Sequence, residues 1–253
     1  MKWRLIEQES RNASMNMAID HAVYESVANG REKPTIRFYK WKNNSVSIGA
    51  YQNQNEIDLE ACKKRGIDVV RRMTGVRAVF HDKADFTYSV ISHIRVFKYS
   101  IQNAYNQICS CILNALDDLG MKGALENKND IIVNGKKISG NAAKAMDKGV
   151  YLQHGTLIYD IDFRLMPKIM NITQAIARKK ITSISQFKKL SQKQVYEALE
   201  TNFVFGKDFT IEDLSEYEIK RAEDLARTRY NNIELPAGSF MKNKGSCYVE
   251  RGG

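Results

Sequence analysis

Apolar positions along this chain alternate between two spacings, one suited to strands and one to helices. Residues 3–6 form a short apolar run that reads as a first strand. Ala18, Ile19, Ala22, Val23 and Val27 then recur at helical spacing, with Ser14 as a cap and Gly30 as a stop. Residues 35–39 and 45–48 read as strands, joined by the polar turn Lys42-Asn43-Asn44. Asp58 caps a short helix through Cys62 that Gly66 ends. Strands are expected around Val70 and Val79 and over 86–91.

The clearest helix covers 100–119, with Ala104, Tyr105, Ile108, Ile112, Leu116 and Leu119 on the face that Ile101 begins, and Gly120 at its end. Strands resume at 131–133, 137–138 and 151–159. Beyond residue 160 helices dominate, near 162–170, 192–203 and 215–229, the last opened by the capping box Ser215-x-x-Glu218. Interleaved strands and helices with a helical tail predict an α/β (α+β) fold, a mixed β-sheet flanked by helices. One main domain is expected over residues 1–235, followed by a C-terminal tail over 236–253.

Hydrophobic residues make up 43% and charged residues 27%, which excludes a disordered chain. No apolar run is long enough to cross a bilayer, and Met1-Lys2-Trp3-Arg4 opens no signal peptide, so no membrane role and a cytoplasmic location are expected. The net charge of +10 favours acidic partners: an acidic protein domain or nucleotide phosphates. Nucleic acid comes last, because no helix-turn-helix, zinc-finger or RNP signature stands out. The basic cluster Arg178-Lys179-Lys180 with Lys188-Lys189 reads as a solvated face or a docking surface. Cys62, Cys109, Cys111 and Cys247 show neither a CxxC pair nor zinc spacing, and read as free thiols.

The chemistry concentrates in two segments. In Arg71-Arg72-Met73-Thr74-Gly75-Val76-Arg77-Ala78-Val79-Phe80-His81-Asp82, two arginines at a strand end lead through a compact loop to a strand ending in histidine. Such a loop turns backbone N–H groups and a guanidinium fork toward an anion, or else is an ordinary hairpin with solvated charges. The second segment is Asn129-Asp130-Ile131-Ile132-Val133-Asn134-Gly135-Lys136-Lys137-Ile138-Ser139-Gly140-Asn141-Ala142. Together they resemble the lipoate–protein ligase family, whose domain is shared with octanoyltransferases and biotin ligases. That family shows Arg-Arg-x-(Thr/Ser)-Gly-Gly-(Gly/Arg)-Ala-Val-(Tyr/Phe)-His-Asp and then Gly-(Arg/Lys)-Lys-(Ile/Val)-Ser-Gly-(Ser)-Ala. His154-Gly155-Thr156-Leu157, Asn16-Met17-Ala18-Ile19-Asp20, and Gln52-Asn53 with Glu56 match in the family's order.

The resemblance implies a class II biotin/lipoyl-ligase-like fold and an ATP-dependent lipoate–protein ligase that forms lipoyl-AMP. The acyl group would pass to a lysine of a lipoyl domain, in a 2-oxoacid dehydrogenase E2 or the glycine-cleavage H protein. It assigns Lys137 to the α-phosphate and acyl carbonyl, as the catalytic group. Arg72 would hold ATP phosphate, with Arg71 on the opposite strand face. Arg77, Ala78, Val79 and Phe80 would bracket the nucleotide, with Asp82 after them. Gly75, Val76 and His81 would line the substrate side, and Gly140 and Ala142 would admit close ligand approach. Asn129 and Asp130 would support Mg²⁺, although an Asn-Asp pair before a strand is also a common turn. His154 would brace the Lys137 strand.

Three departures keep other readings open. Val76 replaces the family's usual glycine, which narrows the acyl pocket or strains the loop. Arg77 at the third position looks like the octanoyltransferase branch, whereas that branch's cysteine is missing between residues 112 and 136. The accessory C-terminal domain of long ligases is also missing, which suggests a short form; some short relatives of the family obtain that domain as a separate accessory chain. The alternatives are an octanoyl/lipoyl transferase working through a thioester, and a non-catalytic homologue that binds a lipoyl domain or acyl-adenylate.

Overall fold

The computed structural model describes residues 1–75, 77–145 and 149–231. Val76, the 236–253 tail and Cys247 therefore lie outside the described residues. An eight-stranded mixed sheet runs in the order β11-β1-β2-β6-β10-β9-β8-β7, and a second sheet of three strands in the order β4-β3-β5. The large sheet comprises β1 (Lys2–Arg11), β2 (Thr35–Trp41), β6 (Phe86–His93), β7 (Gly123–Glu126), β8 (Asp130–Val133), β9 (Lys136–Ala145), β10 (Val150–Leu157) and β11 (Asp208–Ile211). The small sheet comprises β3 (Ser45–Ile48), β4 (Asp68–Arg71) and β5 (Val79–His81).

Period-2 alternation decides which side chains meet. On β2, Ile36 and Phe38 join a core with helices α3 (Ile101–Asp118) and α6 (Gln192–Val204). Tyr39 and Trp41 face the other way, into a core with α1 (Ala13–Ala28) and α7 (Glu216–Leu225). On β6, Tyr88 and Val90 share the α3 side, and Ile91 shares the α1 side. The large sheet is therefore covered on both faces, and the α1 face is also the face on which the polar residues of β6 and β10 collect.

Most local expectations hold, and the differences have local causes. Asn12, not Ser14, caps α1: its side chain accepts from Met15 N–H, whereas the Ser14 hydroxyl donates to the Tyr230 carbonyl. Asp58 caps α2 (Leu59–Lys64), and both halves of the Ser215–Glu218 capping box are formed. Ile101 is half exposed, because it sits in the first turn of α3 beyond the sheet. The expected helix near 162–170 shrinks to α4 (Met166–Ile169). The basic cluster ends a separate helix, α5 (Gln174–Lys180), with the Arg178 guanidinium stacked on the Phe163 ring. No helix among the described residues is long and apolar enough to cross a membrane.

The arginine loop is not a hairpin. Strands β4 and β5 flank β3, parallel and antiparallel to it respectively, so the chain changes from one edge of β3 to the other between them. The crossover carries the loop to the space between the two sheets.

Candidate active site

The inner face of the small sheet and the α1 face of the large sheet enclose a cavity of about 220 Å³. Register explains its walls. Ser47 pairs with Val79, and Ser45 with His81, so these residues share the inner face of the small sheet. On the large sheet Thr156 pairs with Gly140 and with Thr87, and His154 pairs with Ala142, which lines them up on one surface. Tyr39 and Trp41 from β2, with Met17 from α1, close one end. Lys137 on β9 stands at the other, three strand spacings away or about 14 Å at the usual separation, with Asn129 and Asp130 one strand further at β8. One end is thus aromatic and apolar, the other charged, and Arg77, Ala78 and Val79 complete the rim.

Lys137 reaches this cavity through a β-bulge. Ile131 pairs with Ser139 but Ile132 pairs with Lys137, leaving Ile138 as the extra residue on β9. Without the bulge, Lys137 would alternate onto the face opposite Gly140. With it, Lys137, Gly140 and Asp130 point the same way, and Lys137 Nζ lies 2.7 Å from Asp130 Oδ1. A Cβ on Gly140 would stand 2.7 Å from both Lys137 Cε and Nζ, so the glycine is there to leave room for the ammonium. The Lys137 carbonyl accepts from Thr182 N–H, tying the bulge to the segment after α5.

Arg72 lines the cavity, but its guanidinium is spent on the protein itself. Nε donates to Thr74 Oγ1, Nη1 to the Ser47 carbonyl and hydroxyl, and Nη2 to the Gly75 and Arg77 carbonyls at 2.7 and 2.8 Å. These bonds occupy all five donors an arginine has. Burial pulls its pKa down to about 10. In this arrangement Arg72, expected as a phosphate ligand, is a clamp that shapes the loop. Arg77 is exposed at the rim of the cavity.

The two cavity histidines are bound into the same framework. His81 Nε2 meets Ser47 Oγ at 2.8 Å, its Nδ1 meets Thr156 Oγ1 at 3.1 Å, and its ring stacks on Trp41. Burial, with the nearby Arg72 charge, holds the His81 pKa well below the usual value, so it is a neutral wall. His154 does not reach toward Lys137, although its strand pairs with β9. Its Nε2 meets Thr74 Oγ1 at 2.6 Å and its Nδ1 meets Asp20 Oδ2 at 3.2 Å.

Two other expected site residues, Phe80 and Arg71, turn away from the cavity for reasons of register. Phe80 pairs with Val46, and Arg71 with Ile48, on the outer face of the small sheet. There Phe80 packs with the apolar cluster around α2 and α4, while Arg71 Nη1 donates to the Gly49 and Gln52 carbonyls. Asp82 Oδ1 accepts from Ala84 N–H in the following turn. Gly75 contributes its carbonyl to Arg72 and no wall. Asn129 and Asn141 clamp each other, each side-chain amide donating to the other's carbonyl. The sequence reading missed Tyr39, Trp41, Ser47, Thr87 and Thr156; their signal was alternation within strands that face a second sheet. Among the described residues no three His, Cys, Asp or Glu side chains gather as a metal site.

Comparison with known proteins places these features in a family. The model for the lipoyl protein ligase A/B catalytic domain matches residues 12–204. The octanoyltransferase LipM of Brevibacillus brevis is 32% identical over 272 residues, covering 92% of this chain and 98% of that protein. LipM of Staphylococcus aureus is likewise 32% identical, covering 92% and 97%. A lipoate-protein ligase A solved with bound ATP superimposes with a TM-score of 0.83 at 30% identity, covering 94% of this chain and 99% of that one. The bi-partite lipoate protein ligase of Thermoplasma acidophilum gives 0.82 at 28% identity, covering 96% and 98%. The chain belongs to the lipoyl protein ligase A/B catalytic-domain family.

Proposed function

We propose that this chain attaches a lipoyl group to the ε-amine of a lysine on a lipoyl domain, by way of an acyl-adenylate made from lipoate and ATP. The observation that carries the adenylate route is the lack of a usable thiol at the cavity among the described residues. Cys62 and Cys109 are buried in the cores, and burial pushes their thiols up to about 11 and about 12. Cys111 sits on α3, away from the cavity, with its pKa also raised by burial. A thioester route needs the opposite, a thiolate favoured at neutral pH beside the acyl carbonyl.

The geometry suits the two steps. The acyl tail enters between Met17, Tyr39 and Trp41. A cavity of about 220 Å³ exceeds the ~150 Å³ that encloses benzene yet is small for a whole adenylate, so the nucleotide would lie at the rim near Arg77. In the first step a lipoate oxygen attacks the α-phosphorus and pyrophosphate leaves. In the second the neutral lysine amine attacks the carbonyl carbon, AMP leaves with the bonding pair, and the amine loses a proton. Lys137 donates to the carbonyl and α-phosphate oxygens as charge builds there. Asp130 offers a single carboxylate, which fits a Mg²⁺ carried in on the nucleotide phosphates rather than a protein-built cage. Such an ion would neutralise phosphate charge. The net charge of +10 suits an acidic lipoyl domain of E2 or H-protein type.

Gly140→Ala is expected to slow acyl transfer about 10–10²-fold with little change in Tm, since the methyl group displaces only the far end of Lys137. An unchanged kcat would show that the ammonium works equally well from another position.

The names of the LipM relatives favour a second reading, ATP-independent octanoyl transfer from a carrier. One experiment separates the two. Apo lipoyl domain is mixed with the protein and either lipoate, ATP and Mg²⁺ or an octanoyl-carrier thioester, and the product is weighed by mass spectrometry. A lipoyl adduct that requires ATP is expected. Octanoylation without ATP, abolished by Cys247→Ser, would replace the adenylate route, and binding without any adduct would leave a non-catalytic homologue.

A further inference from the structure

Beneath the cavity, Asp20, His154, Thr74 and Arg72 form a line of hydrogen bonds in which one direction gives every donor an acceptor. An arginine Nε has only a proton to give, so Thr74 Oγ1 accepts from it at 3.2 Å. The Thr74 hydroxyl then has one proton, and His154 Nε2 lies 2.6 Å away to take it. In the arrangement that gives the hydroxyl proton an acceptor, Nε2 is the bare nitrogen and Nδ1 carries the proton, which it donates to Asp20 Oδ2 at 3.2 Å. The carboxylate end is anchored too. Asp20 Oδ1 takes Arg37 Nη1 at 2.7 Å, and Oδ2 also accepts from the Ser89 hydroxyl at 2.6 Å. Asp20, Thr74 and Arg72 are all buried, so water cannot substitute for a missing partner.

The other end of the line is the rim of the site. Arg72 Nη2 holds the carbonyls of Gly75 and Arg77, so whatever orients the guanidinium also places Arg77. We infer that Asp20 and His154 are positioning residues: Asp20 selects the Nδ1–H tautomer of His154, and through Thr74 that tautomer sets the plane of Arg72 and the location of Arg77. The opposite tautomer would aim a second donor at Thr74 and leave the hydroxyl proton without an acceptor. Histidine here is a spacer with one donor end and one acceptor end. The inference uses the acyl-transfer reading only to choose an assay.

Two measurements test it. Long-range ¹H–¹⁵N spectra of the ligand-free protein are expected to show a protonated Nδ1 and a bare Nε2 for His154, together with a slowly exchanging Arg72 Nε–H. Thr74→Val, which keeps the shape but removes the hydroxyl, is expected to lose that Nε–H signal and about 10²-fold in kcat, as for a misplacement of about 1 Å. Thr74→Ser, which restores the hydroxyl, is expected to recover both. A protonated Nε2 in the wild-type spectrum overturns the inference, as does a Thr74→Val protein that keeps the Arg72 signal and the wild-type kcat. Because the spectra need no substrate, failure of the proposed reaction and failure of the relay are told apart.

Discussion

Replacing Lys137 with alanine is expected to lower acyl transfer by about 10²–10³-fold while the protein stays folded. The size follows from where the ammonium sits. It is held on the cavity face by the bulge at Ile138, over Gly140 and beside Asp130, at the charged end of the site. A donor fixed before the reaction starts needs no reorganisation when negative charge grows on an oxygen. Its removal costs little stability, because Lys137 is 34% and Asp130 21% exposed, and such solvent-accessible pairs contribute ~0–1 kcal/mol. Pyrophosphate release and adduct formation, measured beside Tm, check both halves. Lys136→Ala is the control, since that side chain alternates to the other face of β9 and lines no part of the cavity. Near-normal pyrophosphate release in Lys137→Ala would remove Lys137 from the chemistry.

Arg72→Lys is expected to damage stability and activity together. A lysine ammonium has three donors at one point and cannot span Thr74, Ser47, Gly75 and Arg77 as the guanidinium fork does. At least one or two buried acceptors lose their partner, at ~1–3 kcal/mol each, for a total of about 3 kcal/mol. For a chain of this size that lowers Tm by roughly 6–12 °C. With the loop released, Arg77 no longer has a defined place at the rim, so the lipoylation rate falls as well. Thermal melts and the mass-spectrometric assay read the two effects. A variant that melts with the wild type yet fails only in nucleotide binding would return Arg72 to the role of a phosphate ligand.

The pair of arginines shows how a motif was legible while its division of labour was not. Arg71 and Arg72 are neighbours, so alternation places them on opposite faces whatever the fold. Which face is inward depends on β4 lying beside β3 with Arg71 opposite Ile48. That pairing, and not the sequence pattern, sends Arg71 outward and turns Arg72 into a clamp. Phe80 is lost from the site by the same register, opposite Val46. The weakly patterned elements β7, β11 and α5 escaped the reading because four to seven residues carry too little periodicity.

From the sequence alone came the mixed strand-and-helix order, the capped helices α2 and α7, and the clustering of chemistry in two segments. Local propensity and alternation suffice for these, since each needs only residues close along the chain. Tertiary structure alone decided that β3 stands between β4 and β5, that Ile138 is the extra residue that turns Lys137 inward, and that Asp20 reaches Arg72 through His154. Bulges and buried hydrogen bonds are properties of pairs of strands, and their partners lie far apart in the chain.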